Sequence, residues 1–170
     1  MRAYCLFALI AIAGTLARPL VERDGNGSDA SDQDVQSYLN GHNSVRAAHG
    51  ANPLQWNNTL ASKAQTWANK CTNHHSGGTL GPFGENLAAQ TGGNFTIPAA
   101  MDSWVTGPTE EPAYNANAPV ASHFTQIVWK ASTQLGCAVQ ICSDIFPGYG
   151  SAQYYVCEFF PPGNVEGEFG

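Results

Sequence analysis

Charge is scarce in this sequence. Only 12% of its 170 residues are Asp, Glu, Lys or Arg, about half the usual share of roughly 25%. Cations are scarcest: seven Lys and Arg stand against thirteen Asp and Glu, for a formal net charge of −6. A nucleic-acid partner is therefore disfavoured, because phosphate affinity comes mainly from clustered cations. No apolar run reaches the roughly 18 residues of a membrane-spanning helix, and there are no internal repeats or low-complexity arrays. A tight metal motif such as His-Glu-x-x-His is also missing. What is present is 43% apolar residues and 11% aromatic, too much for a disordered acidic chain. The length suits one domain.

The ends of the chain differ from its middle. Arg2, the unbroken apolar run Cys5 to Ile12 and the small residues of Thr15-Leu16-Ala17 read as a secretory signal over residues 1–17, cleaved after Ala17. Residues 18–34, rich in Arg, Asp, Gly, Ser and Asn, read as a flexible acidic leader. The folded domain is expected over 35–170. Sequons at Asn26, Asn57 and Asn94 agree with export. Cleavage removes Cys5 and leaves four of the five cysteines. An even count in an exported chain favours disulfides over redox chemistry.

Periodicity predicts helices first and strands afterwards. Val35, Tyr38, Leu39, His42, Val45 and His49 recur at helical spacing, with Ser31-x-x-Asp34 as a cap and Gly50 as a stop. A second helix follows Asn57, and a third runs from Pro98 through Trp104 to Gly107-Pro108. Residues 123–129, 135–141 and 153–160 read as strands, the last two forming a hairpin. The fold class is α+β, a sheet covered on both faces. With the hairpin turn near Phe146 to Gly148, Cys137 falls opposite Cys157. Cys142 then faces the other way, toward Cys71. Of the three pairings, Cys137–Cys157 with Cys71–Cys142 is preferred; sequence alone leaves the others open.

Four polar clusters carry the candidate chemistry: His74-His75-Ser76, Gly84-Glu85-Asn86-Leu87, Glu110-Glu111 and His123. Two imidazoles and two carboxylates are a competent shell for a divalent metal, zinc first. The plainer alternative is that His123 and Glu85 only hydrogen-bond within a polar cleft.

Motifs in the same order resemble the CAP superfamily of cysteine-rich secretory, antigen 5 and pathogenesis-related 1 proteins. They are His123-Phe-Thr-Gln-Ile-Val-Trp-Lys-Ala-Ser132, Tyr154-Tyr-Val-Cys-Glu-Phe-Phe-Pro-Pro-Gly-Asn164, His42-Asn-Ser-Val-Arg46 and Gly84-Glu-Asn-Leu87. The fungal pathogenesis-related branch is the most similar. The resemblance implies a three-layer α-β-α sandwich around a central antiparallel sheet. It implies a cleft of two His and two Glu that binds zinc in several members. Carried over, these are His75 (His74 its less favoured neighbour), Glu85, His123 and Glu110. The family usually places the second carboxylate where this chain has Gly107; counting back from Tyr114-Asn115 gives Glu110 instead. His42, Asn43, Arg46 and Asn86 are expected to tie the fold together, and Trp67, Trp104 and Trp129 to lie in the core. Glu158 and Phe159 depart from the family pattern, with surface and packing consequences expected.

The function implied is a secreted binder of sterols or other long-chain lipids, in lipid export or host interaction. Its gate would be the loop of about Pro108 to Ala121, where Tyr114 is the one large apolar contact. The acidic pair beside it would disfavour anionic head groups. A fatty chain would lie between the first and third helices. The alternatives are a protein-binding, immune-facing effector and a zinc hydrolase, with His75 and His123 holding the ion and Glu85 as base. No catalytic nucleophile stands out, and no enzyme is expected.

Overall fold

In a computed structural model, residues 30–169 are described. The signal, its cleavage site, the leader before residue 30 and the Asn26 sequon lie outside the described residues. The first helix, α1 (Asp32–Ala48), starts three residues before the predicted Val35. Ser31 caps it: its side chain accepts from the Asp34 N–H, and Asp34 reaches back to the Ser31 N–H. This reciprocal cap satisfies two otherwise orphaned donors. The buried line of α1 is Tyr38, His42 and Arg46, four residues apart.

The remaining elements are β1 (Gln55–Trp56), α2 (Asn58–Ala68), β2 (Gly84–Thr91), α3 (Ile97–Thr106), α4 (His123–Ile127), β3 (Gln134–Cys142) and β4 (Ala152–Phe160). A single 3-10 turn, Glu111–Ala113, lies in the loop between α3 and α4. The sheet order is β1-β3-β4-β2. β3 and β4 form the predicted hairpin, and β2 pairs antiparallel with β4. β1 runs parallel to β3, so the sheet is mixed rather than wholly antiparallel. The α+β sandwich stands.

Two elements differ from the sequence reading. Residues 123–129 are not a strand; α4 takes their place. Ser122 accepts from the Thr125 N–H and Thr125 Oγ1 from the Ser122 N–H, a local cap that starts a helix. Phe124 to Ile127 are then buried on every side, so no period marks the helix. The missing strand is β2, where Leu87-Ala88-Ala89 extends the Gly-Glu-Asn motif.

Two cores flank the sheet. One packs Tyr38, Met101, Trp104, Ile127, Tyr155 and Phe159 under α1, α3 and α4. The other packs Ala64, Trp67, Ala68, Ala138, Tyr154 and Val156 under α2. Small residues set the second spacing: a Cβ on Gly136 would lie 2.1 Å from the Ala61 nitrogen. Cys137 is bonded to Cys157 in the first core, and Cys142 to Cys71 across the second. The hairpin register places Cys137 directly opposite Cys157.

Candidate functional site

The edge strand β2 organises the site because its side chains alternate between faces. Glu85 points toward the α2 side and Asn86 toward α4, where Asn86 Nδ2 donates to the His123 carbonyl at 3.1 Å. In the Gly-rich loop after Cys71, His75 turns back onto Glu85. His75 Nδ1 and Glu85 Oε1 are 2.7 Å apart, and the Ser76 N–H donates to the same oxygen at 2.9 Å. His74 lies exposed, and only its backbone carbonyl is used, by the Trp67 indole N–H.

The second pair forms at the start of α4. His123 Nδ1 meets Glu110 Oε1 at 2.8 Å, and the Phe124 N–H donates to Glu110 Oε2 at 2.9 Å. Gly107 explains how Glu110 reaches inward: a Cβ at 107 would sit 3.1 Å from Glu110 Cγ. The glycine leaves room that a side chain there would fill. Glu111 turns the other way and pairs with His49 at 3.1 Å, tying the loop to the end of α1. Each carboxylate thus has a histidine partner, and the Glu111 side chain stays 45% exposed.

The arrangement is two His–Glu pairs and not a four-ligand cage. Both glutamates are 6% exposed, whereas His75 and His123 are 62% and 35% exposed. Each carboxylate holds its imidazole by Nδ1, which leaves Nε2 as the nitrogen open to a ligand. Among the described residues no three His, Cys, Asp or Glu side chains are grouped to hold a metal. The histidines and glutamates are thus joined pairwise, His75 with Glu85 and His123 with Glu110.

Sequence reasoning missed Glu158. It is 1% exposed, not a surface residue, and it faces Glu85 in the β2–β4 register. Glu85 Oε2 and Glu158 Oε1 are both buried without another hydrogen-bond partner, so the two facing carboxyl groups are placed to share one proton. Burial, reinforced by the Glu85 charge, pushes Glu158 up to about 9. Burial would raise Glu85 too, but hydrogen bonds from His75 and Ser76 hold it below the usual carboxylate value. The hydrogen bond to Glu85 in turn raises His75. Glu158 is thus the acid and Glu85 the carboxylate. The only sequence signal was a glutamate inside an apolar strand.

A pH dependence follows. Because the folded value for Glu158 lies above the unfolded one, its stabilising contribution is complete below about pH 4.5 and is lost progressively up to about 9. Glu158→Gln keeps a donor for Glu85 without the ionisation. The variant should match wild type at pH 4 and exceed it by about 1–3 kcal/mol at pH 8 in urea melts.

The expected structural ties are present. Fully buried Arg46 donates to the carbonyls of Asn52, Ile127, Trp129 and Ser132. His42 Nδ1 bonds the Tyr38 carbonyl at 2.8 Å, and burial lowers its pKa to about 4, so it is neutral. Asn43 bonds both backbone groups of Leu54. Trp67 and Trp104 are core. Trp129 is not: half-buried, it lines a cavity of about 190 Å³ with Tyr114, Val128, Lys130 and Phe169. Tyr114 is 46% exposed, its ring 5.8 Å from that of Phe124.

Comparison with known proteins places this geometry. Residues 39–159 match the family described as CAP, the cysteine-rich secretory protein family. The chain belongs to the CAP family. Fruiting body protein SC7 of Schizophyllum commune is 39% identical over 140 residues, covering 78% of this chain and 66% of that protein. Pathogenesis-related protein 1 of Arabidopsis thaliana is 35% identical over 167 residues, covering 94% and 90%. The chain spans about two thirds of the length of the Schizophyllum relatives, 66% and 67%. Among solved structures, BmVAL-1 superposes with TM-score 0.67 at 24% identity, over 82% of each chain. NaASP2 with Zn2+ gives 0.65 at 22%, over 84% and 85%. These likenesses establish the CAP fold, and the relatives are named as pathogenesis-related or fruiting body proteins, not as enzymes.

Proposed function

We propose that this CAP-domain protein is secreted and takes up a sterol or other long-chain lipid beneath the 107–122 loop. The observation that carries the reading is the position of Tyr114 over the cavity walled by Val128, Trp129 and Phe169. Three aromatic rings converge there, and apolar burial drives lipid capture at about 0.8 kcal/mol per CH₂. At about 190 Å³ the cavity is below the roughly 300–1,000 Å³ usual for drug-sized ligands. It would take one end of a lipid, or all of it once the loop lifts from His49 and His123. The rival groove between α1 and α3 is filled at its middle: a Cβ on Gly41 would lie 2.9 Å from Met101 Cγ. Tyr114→Ala should weaken binding of a labelled sterol about five- to a hundredfold, the equivalent of about 1–3 kcal/mol. Unchanged affinity would place the lipid elsewhere. No uptake at all would favour the protein-binding effector.

A divalent ion, zinc first, is the second reading, supported by two imidazoles that are each held at Nδ1 by a glutamate and keep Nε2 for a ligand. The ion would be structural or regulatory, with Glu85 and Glu110 orienting its ligands. Glu110→Gln should lower zinc affinity in calorimetry about 10–100-fold, and His123→Ala should abolish saturable uptake. Wild type showing no saturable zinc binding at neutral pH refutes this reading.

A further inference from the structure

We propose that Asn94 carries a glycan in the exported chain, that Asn57 does not, and that the glycan covers exposed apolar side chains in the groove beside it. The two sequons within the described residues are built in opposite ways. Asn57 is spent on the fold: its Oδ1 accepts from the N–H groups of Thr59 and Leu60 at 2.8 and 3.3 Å, capping α2. Its Nδ2 donates to Gln134, next to the β1–β3 pairing. A sugar on that nitrogen would have to displace Gln134.

Asn94 is free of such duties. It lies exposed in the loop between β2 and α3, just after Gly92 and Gly93, whose φ angles of +100° and +77° turn the chain outward. Among the described residues its amide has no hydrogen-bond partner. The sequon is held rigid from its middle. The Phe95 N–H donates to Gln153 Oε1 at 3.0 Å, and Tyr155 Oη donates to the Phe95 carbonyl at 2.7 Å. Phe95 itself is buried, with its ring 5.4 Å from that of Tyr155. Asn94 and Thr96 on either side therefore face solvent. Thr96 occupies the N-cap position of α3 without using its side chain, so its hydroxyl is uncommitted.

Attachment needs a lipid-pyrophosphate-linked oligosaccharide, the donor class of the eukaryotic secretory pathway. Asn94 Nδ2 forms a bond to the anomeric carbon of the donor sugar. The bond from that carbon to the pyrophosphate oxygen breaks, and its electrons leave with the lipid pyrophosphate. One proton from Nδ2 passes to the transferase base.

The groove of about 290 Å³ beside the sequon is lined by the apolar Phe95, Ile97, Val139 and Tyr155 and by the polar Asp34 and Gln153. Next to it on β3, Val139 and Ile141 are 39% and 67% exposed. Exposed apolar side chains of this kind invite association between molecules. A sugar chain rooted at Asn94, between Gly93 and the groove-lining Phe95, would reach over them.

The test is glycopeptide mass spectrometry on the full chain secreted from a eukaryotic host, with the same chain behind a known secretory signal run in parallel. Peptide-N-glycosidase should convert Asn94 to Asp in most molecules and leave Asn57 unchanged. Asn94→Gln and Thr96→Ala should each remove that glycan. The Asn26 peptide is scored separately. An unmodified Asn94 in secreted protein, or a glycan on Asn57, overturns the assignment. For shielding, native deglycosylated protein should bind more 8-anilinonaphthalene sulfonate and sediment as a larger species than the glycosylated form. Identical dye binding and sedimentation would remove the shielding role.

Discussion

Arg46→Met should be the most damaging single substitution in the domain, costing about 3–5 kcal/mol. The guanidinium is fully buried, and burial brings its pKa down to about 10, still charged at neutral pH. Its counterpart is not a carboxylate but four carbonyl oxygens, at 2.6 to 2.8 Å. Methionine would fill much of the space and leave those oxygens without donors, at roughly 1–3 kcal/mol for each one that water cannot reach. Three of the four, on Ile127, Trp129 and Ser132, belong to the turn that leaves α4 and sets Trp129 against the cavity. Lipid uptake should therefore fall with stability. Arg46→Lys, with three donors for four carbonyls, should lose less but in the same direction. Urea melts of the three proteins decide it; a loss below about 1 kcal/mol for the methionine variant would mean that the buried charge is not a tie.

Removing the Cys71–Cys142 bridge should be comparably costly. Its residues are 71 apart in sequence, against 20 for Cys137–Cys157. The entropy of closing those loops gives about 4 kcal/mol for the first and about 3 for the second. The double Ala variant at Cys71 and Cys142 should melt about 8–16 °C below wild type, and the other pair should lose less. The two bridges also differ in what they hold. Cys71 stands just before the loop that carries His75, so its release should weaken the His75–Glu85 contact and any zinc binding with it. Calorimetry after each removal separates the two: equal zinc affinity in both variants would show that the loop needs no staple.

Much of this architecture could be read from the residues, and the failures have physical causes. α1 and α2 announced themselves by capping residues and by apolar positions three and four apart, because each has a wet face and a dry one. The β3–β4 hairpin was legible from its turn, and its register then placed the cysteines. α4 was illegible because five residues buried on all sides carry no period. β1 is two residues long, too short for any pattern to declare it parallel to β3. In the site, Glu85 and His123 stood out as polar groups within motifs. The inward turn of Glu110 depends on the missing side chain at Gly107, a steric fact that spacing does not carry. Glu158 was hidden by its company: among Tyr154, Tyr155, Val156, Cys157 and Phe159, one carboxyl reads as an exception until the facing Glu85 carboxylate is placed to accept its proton. Trp129 was misplaced for the opposite reason, since a tryptophan next to an apolar run looks like core.

Lipid capture is the central claim, and extraction of the wild-type protein from the medium of its secreting host tests it most directly. Organic extracts of purified wild type and of Tyr114→Ala, secreted side by side, would be quantified by mass spectrometry against protein concentration. A sterol or long-chain lipid near one equivalent in wild type, and at least fivefold less in the variant, is the predicted result; it corresponds to a loss of about 1 kcal/mol or more. Extracts with no lipid above that of an unrelated secreted protein, or with equal lipid in both forms, would contradict the account.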